Sequence, residues 1–246
     1  MITKQFKLSR SRALAWLEEL NGEAPSCTVY IAPSNARAEI ERALGSWLDR
    51  GSLLDELTEN AAKSPTGAVI FYALGRAHVV WPPFPVGENA DARCYDPAHL
   101  QAMLKHDWRL GLVLVRLGHY AIGLFKGEQL IDSHAGTGLV HARHHKGGSS
   151  SQRFARHREK QMETFFTRIE GHARDLMEPH LKEIDYILYG GTRDTLLTMW
   201  RQCAFFRLLE GKAVNRLLSI REPKRSSLDE AIKQAYSSTV YEFEEK

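Results

Sequence analysis

Three apolar segments of strand length follow one another with no room for a helix between them, and this feature constrains the fold most. The segments are LGLVLVRL (110–117), HYAIGLFK (119–126) and GEQLIDSH (127–134), joined only by Gly118 and by Lys126-Gly127. Glycine in such short connections is typical of tight turns between antiparallel strands. We therefore predict a three-stranded meander in the middle of the chain.

Helix and strand patterns alternate after the meander. They predict a long helix (152–181), a strand (184–191), a helix (192–211), a strand (213–220) and a last helix (226–238). A meander followed by such alternation predicts an α/β (α+β) fold in which helices pack on a mixed sheet. The acidic end, YEFEEK, is expected to be a solvated tail.

The first hundred residues predict a smaller α/β domain. It contains a helix at 10–21, a strand at 27–32, an amphipathic helix at 35–50, and two strands at 67–74 and 77–82 that form a hairpin around Gly75-Arg76. A proline-rich loop follows the hairpin. We therefore divide the chain into an N-terminal domain, 1–100, and a second domain, 101–246.

Composition excludes several classes of protein. The three cysteines, Cys27, Cys94 and Cys203, are far apart and no CxxC occurs, which argues against a disulfide framework or a structural zinc site. The chain has no signal-peptide core and no apolar run long enough to cross a membrane. We expect a protein of the reducing cytoplasm.

Positive charge is concentrated between His141 and Arg174. That segment holds eight Lys or Arg and three Glu, while the net charge of the whole chain is only +3. Arg153, Arg156 and Lys160 recur at helical spacing and share one face. Such a stripe suits a phosphate backbone, and a solvated basic face is the alternative interpretation.

The loop KGGSSSQ (146–152) directly precedes this stripe. Glycines without a Cβ let backbone N–H groups approach a ligand closely, and such groups stabilise an oxyanion or orient a water molecule. Gln152 adds a donor and an acceptor in one side chain. A flexible spacer is the alternative, but cations flank this loop on both sides.

The segment KGGSSSQRFARHREKQMETFFTRI resembles the central domain of eukaryotic and archaeal class-one peptide release factors. In that family a GGQ tripeptide is followed by an RFAR run with further basic residues, and residues 153–156 here match that run letter for letter. The later segment IDYILYGGTRD is similar to the strand and turn after that domain's long helix. The resemblance covers roughly residues 108–240 and implies that domain's RNase H-like mixed sheet.

The glutamine is displaced relative to the release factors. An ungapped alignment on RFAR puts Ser149 at the GGQ glutamine, and Gln152 follows three residues later. The displaced glutamine resembles the release-factor-like peptidyl-tRNA hydrolases of ribosome quality control, the Vms/ANKZF type, and their bacterial relatives in the VLRF group. The N-terminal half is similar to bacterial release-factor-like proteins and lacks stop-codon-reading motifs, which favours rescue over termination.

The resemblance implies a ribosome-associated peptidyl-tRNA hydrolase that releases stalled nascent chains on the large ribosomal subunit. It implies the catalytic residues Gln152, Gly147, Gly148 and Ser149, and the RNA-binding residues Lys146, Arg143, Arg153, Arg156, Arg158 and Lys160. The expected partners are the large subunit, peptidyl-tRNA and ribosomal RNA. We expect a monomer in the cytoplasm without a membrane contact, a metal or another cofactor.

Three alternatives stay open. The protein could cut the tRNA near its 3′ end instead of the ester, or bind the ribosome or RNA without catalysis. It could also be a metal hydrolase, because HxxHH can bind zinc or nickel. The histidines of such a site would be His134, His141, His144 and His145.

Overall fold

A computed structural model of the protein describes most of the chain in two compact units. The first unit comprises Met1–His106 and Lys233–Lys246, and the second comprises Asp107–Ile232. The described residues are 2–22, 25–33, 37–45, 51–73, 75–140 and 151–244, without the side chains of residues 151 and 152.

The first nine elements belong to the first unit. They are β1 (Ile2–Leu8), α1 (Arg10–Asn21), β2 (Cys27–Ile31), α2 (Arg37–Leu44), α3 (Ser52–Ala62), β3 (Ala68–Ala73), β4 (Arg76–Trp81), β5 (Ala90–Ala92) and α4 (Ala98–Lys105).

The elements that follow begin in the second unit and return to the first. They are β6 (Arg109–Arg116), β7 (His119–Lys126), β8 (Gln129–Thr137), α5 (Ser151–Met177), β9 (Tyr186–Gly191), α6 (Arg193–Gln202), α7 (Ala204–Leu208), β10 (Ala213–Leu218), α8 (Ser227–Ala235) and β11 (Ser238–Glu244). Short 3-10 turns lie at Glu178–His180 and Glu210–Lys212.

The first unit is an antiparallel sheet with helices on both faces. Its strand order is β1-β11-β4-β3-β2-β5. Buried side chains of α2 and α3 form a core with one face, and those of α1 and α4 form a core with the other. Because both faces are covered, all five residues of β2 are buried, so the strand reads as a continuous apolar run.

The predicted elements of this unit are largely confirmed. The helix at 10–21 is α1, and the hairpin is β3 and β4, with Gly75 in the turn at φ +76°, a conformation that favours glycine. The sequence reading missed β1, α3 and β5. In α3, Leu53, Leu54 and Leu57 are buried.

The C-terminal segment corrects two predictions. The expected solvated tail is β11, a strand that pairs with β1 on one side and with β4 on the other. Val240 and Phe243 are buried in the first unit's core. Since β11 completes the first sheet, residues 233–246 lie in the first unit, whereas the prediction placed them in a second domain, 101–246.

The second unit is the predicted mixed sheet, with strand order β10-β9-β6-β7-β8. The pairs β6–β7 and β7–β8 are antiparallel and form the predicted meander. The strands β9 and β10 run parallel to β6. The predicted fold class, α/β with helices packed on a mixed sheet, is confirmed.

Helices α5, α6 and α7 cover one face of this sheet with a core that includes Phe165, Phe166, Ile169 and Met199. The predicted helix at 192–211 is two helices, because Cys203 has an extended backbone (φ −102°, ψ 113°) that ends α6. Helix α5 ends at Met177, four residues before the predicted end, where a 3-10 turn containing Pro179 begins.

Candidate functional site

Helix α5 runs across the sheet from the end of β8 to the start of β6. The helix comes close to Gly138, just after β8, because a Cβ added to this glycine would lie 2.4 Å from Cδ2 of Phe165. Near the start of β6, a Cβ on Gly111 would lie 3.0 Å from Cε of Met177. The helix therefore covers the sheet with its last thirteen residues, from Phe165 to Met177.

The preceding residues of α5, 153–164, extend past the sheet, and we call them the basic arm. At 1.5 Å per residue the basic arm is roughly 18 Å long. Every side chain in it is exposed or half-buried, and Phe154 is 49% exposed. The glycine–serine segment of the sequence therefore precedes a helix end whose described side chains are exposed.

The basic arm carries four of the six predicted RNA-binding residues. Arg153, Arg156 and Lys160 are exposed and Arg158 is half-buried. Over the part of the chain that the structure describes, neither Arg153 nor Arg156 nor Lys160 forms an ion pair. Unpaired arginines on one helix face suit a phosphate-rich partner. The other two predicted residues, Arg143 and Lys146, lie outside the described residues.

The predicted catalytic residues lie at the start of α5 or just before it. Gly147, Gly148 and Ser149 lie outside the described residues. Gln152 is the second residue of α5, and the structure describes its backbone only. The first-turn N–H groups of a helix have no intrahelical partner and carry partial positive charge, so the backbone around Gln152 favours an anionic group.

A cavity of about 310 Å³ lies where β8 and α5 meet. It is lined by Gly138, Leu139, His157, Lys160, Gln161, Thr164, Phe165 and Arg168. Arg168 Nη1 donates a hydrogen bond of 2.9 Å to the carbonyl oxygen of Thr137, so this arginine joins the end of β8 to the helix. Lys160 and Arg168 make the cavity cationic. A larger cavity of about 450 Å³ in the first unit is lined by both acidic and basic residues.

A histidine pair lies beside this cavity. The rings of His134 and His172 are 3.5 Å apart between centroids, and Tyr120 Oη lies 2.6 Å from Nδ1 of His172. Burial lowers the pKa of His172, and the neighbouring His134 lowers it further. No local sequence pattern places His172 against His134 and Tyr120, because the three residues come from α5, β8 and β7.

The metal alternative gains no support from His134. The neighbours of its ring are His172 and Tyr120. The three histidines proposed as its co-ligands lie outside the described residues. Within the described ranges, no three His, Cys, Asp or Glu side chains are grouped so that they could hold a metal ion. None of the helices described there is long and apolar enough to cross a bilayer.

Residues 108–241 match the model of the family described as "Actinobacteria/chloroflexi VLRF1 release factor". The match covers more than half of the chain. The chain belongs to this family. The predicted kinship with the release-factor-like VLRF group is thereby confirmed, and a role related to translation follows as the coarse function of the chain.

Curated relatives are archaeal release factors. "Peptide chain release factor subunit 1" of Archaeoglobus fulgidus is 26% identical over 214 residues, which cover 75% of this chain and 52% of the relative. "Peptide chain release factor subunit 1-1" of Methanosarcina acetivorans is 29% identical over 187 residues, which cover 73% and 44%. The chain thus spans about half the length of the curated relatives it matches.

Solved structures show distant likenesses. The "Vms1 mitochondrial localization core" is 14% identical with a TM-score of 0.43, over 85% of this chain and 89% of that one. An archaeal translation termination factor, aRF1, is 16% identical with a TM-score of 0.41, over 93% and 73%. At these identities the likeness does not extend to function.

The VLRF1 match spans the whole candidate site. It begins at Trp108, one residue before β6, and includes the sheet, residues 141–150 and all of α5. It ends at Tyr241 in β11, so the family segment includes a strand that folds with the first unit.

Proposed function

We propose that this VLRF1 protein is a peptidyl-tRNA hydrolase that frees stalled nascent chains on the large ribosomal subunit. One observation supports this most strongly: in a release-factor family, a helical arm follows the glycine–serine segment directly and extends past the sheet, and its Arg153, Arg156 and Lys160 form no ion pair within the described residues. A loop at the end of such an arm is suited to reach a substrate inside an RNA cavity, because the arm's cations offset the phosphate charge around it.

The reaction is hydrolysis of the ester that joins the peptide to the 3′ ribose. A water oxygen bonds to the carbonyl carbon, the ester C–O bond breaks, and a proton from water goes to the ribose oxygen. Gln152 positions the water, and backbone N–H groups of residues 147–152 stabilise the negative charge that develops on the carbonyl oxygen. The residues invoked are neutral, so the site needs no titrating side chain for this role.

RNA contacts hold the loop in place. Arg153, Arg156, Arg158 and Lys160 bind phosphates of ribosomal RNA or of the tRNA acceptor end, and Arg143 and Lys146 act on the other side of the loop. We also propose that the protein acts in the cytoplasm, where its ribosomal partner is found, and that it acts as a monomer.

The test is release of peptide from purified large subunits that carry stalled peptidyl-tRNA. We expect Gln152→Ala to slow release by about 10²-fold, the usual effect of losing the positioning of a reacting group. Gln202→Ala, at the exposed end of α6, is the matched control and is expected to release peptide at the wild-type rate.

The products separate the alternatives. Free peptide with an intact CCA end on the tRNA supports ester hydrolysis, whereas a shortened tRNA supports cleavage near the 3′ end. Subunit binding without any release supports a non-catalytic RNA binder. If Gln152→Ala and the wild type release peptide equally while Ser149→Ala does not, the position of the family's GGQ glutamine is the functional one.

A further inference from the structure

The parallel strands of the second unit end at one edge of the sheet, which we call the carboxyl edge. Val115 of β6 pairs with Gly191 of β9, and Gly190 pairs with Leu218 of β10. The approach is close, since a Cβ on Gly191 would lie 1.9 Å from the carbonyl oxygen of Val115. The three segments that leave these strands therefore start side by side.

Each of these three segments contributes an exposed arginine. Arg116 is the last residue of β6, Arg193 is the first residue of α6, and Arg221 follows β10 by three residues. Adjacent strands are about 4.8 Å apart, so the three backbone positions spread over roughly 10 Å. They lie far apart in the sequence, and only the register of the strands gathers them.

These arginines lack acidic partners. Throughout the described residues, none of Arg116, Arg193 and Arg221 forms an ion pair. The acid nearest in sequence to Arg221, Glu222, is engaged by Lys224 at 2.8 Å and faces His119 at 4.0 Å. No ion pair among the described residues therefore engages the three arginines of the carboxyl edge.

The opposite edge of the same sheet has the reverse character. There Arg109 forms an ion pair with Glu183, and the N–H of Arg109 donates to Oδ2 of Asp185 at 2.8 Å. Asp107 and Glu128 also lie in the turns at that edge. Among the described residues, the arginine at that edge is thus engaged by acids, whereas the three arginines of the carboxyl edge are not, and the lysines Lys126 and Lys182 near the opposite edge form no ion pair either.

The carboxyl edge is continuous with the basic arm. Across the sheet, Arg116 pairs with His119, and His119 pairs with Thr137. Arg168 binds the carbonyl of Thr137, and Lys160 lies two helical turns before Arg168, at the end of the basic arm next to the sheet. A row of basic groups thus leads from Arg221 to the arm.

We propose that Arg116, Arg193 and Arg221 form a second RNA-binding surface. It holds the phosphates of an RNA strand that lies along the carboxyl edge, next to the RNA bound by the basic arm. Arginine presents a planar fork of donors that matches phosphate geometry. The surface deepens the proposed function and rests on it, since the RNA would be that of the ribosome or of its tRNA. Its role is to fix the orientation of the domain while the loop reaches the ester.

The test compares two double variants with equal charge change. Arg116→Glu/Arg193→Glu reverses the carboxyl edge, and Lys126→Glu/Lys182→Glu reverses two exposed cations near the other edge. Affinity for purified large subunits is measured against salt concentration. The first variant should lose at least about tenfold in affinity, with a salt slope lower by roughly 1.4–1.8, because each of the two lost phosphate contacts removes about 0.7–0.9. The control should change affinity by no more than about twofold.

Two further measurements make the result decisive. Arg116→Lys/Arg193→Lys keeps the charge and should retain most of the affinity, which separates phosphate binding from a folding defect. If both charge-reversal variants have the same salt slope, the surface proposal is wrong, whether or not the wild type releases peptide. If the wild type does not bind large subunits, this result counts against the proposed function. The affinities of the same two variants for purified tRNA then test the surface proposal separately.

Discussion

The two halves of α5 form one continuous helix but differ in what holds them. From Phe165 to Met177 the helix is packed on the sheet, with Phe166, Ile169 and Met177 fully buried. From Arg153 to Thr164 every side chain is at least partly exposed. One half belongs to the core and the other to a surface for a partner.

The comparison explains how the basic arm stays helical although none of its side chains is fully buried and Met162 packs only partly buried against the core. An isolated helix of about twelve residues is marginal in water, because forming the first turn is costly. The packed half supplies that first turn, and each arm residue then only extends an existing helix. A core helix that continues past its sheet is thus an economical way to hold cations away from the body of a domain.

The largest expected effect comes from the packed half. Phe166→Ala should lower the free energy of unfolding by about 3–5 kcal/mol, because it removes a fully buried ring and leaves a cavity. Urea unfolding followed by circular dichroism measures the change. Phe154→Ala in the basic arm is the matched control, with an expected loss below about 1 kcal/mol. Equal losses for the two phenylalanines would mean that the arm is packed as tightly as the core half.

The next effect belongs to the basic arm and should leave stability unchanged. Arg153→Glu/Arg156→Glu should weaken binding to large subunits by at least about tenfold and lower the salt slope by roughly two. The free energy of unfolding should stay within about 0.5 kcal/mol of the wild type, since both side chains are exposed. Co-sedimentation at several salt concentrations measures the binding. A variant that binds like the Lys126→Glu/Lys182→Glu control would show that the arm does not face RNA.

Local signals in the sequence were enough to predict most of the second unit. Gly118 and Gly127 identified the turns of the meander, and the helical spacing of Arg153, Arg156 and Lys160 located the basic stripe. Such features depend on residues that are close in the chain. The sequence pattern therefore predicted the helix and its charge correctly.

Features that depend on distant pairing were not predicted. The strand β11 is short and alternates charged with apolar residues, so it resembled a tail, and its partners β1 and β4 lie more than 150 residues away. The division of α5 into two halves required knowing where the sheet ends. The convergence of Arg116, Arg193 and Arg221 required the strand register, which periodicity alone does not fix.

The smallest expected effect is a pH dependence that arises in the packed half. In this half of α5, His172 contacts His134 and Tyr120. Burial, and to a smaller extent the charge of His134, lowers the pKa of His172 from its usual 6.5. The unfolded chain therefore binds a proton more readily than the native one, so stability is complete above about pH 6.5 and falls as the pH drops below that value. Because His172 is only half-buried, solvent limits the loss to a few tenths of a kcal/mol.

Urea titrations between about pH 5 and pH 8 measure this loss against His172→Gln, which removes the titrating group. The variant should be less stable than the wild type at pH 8, where the hydrogen bond between Tyr120 and His172 is intact, and the difference should narrow as the pH falls. A constant difference across the range would show that protonation of His172 is not linked to folding. A narrowing difference would show that protonation of His172 weakens the packing of α5 against Tyr120 and His134.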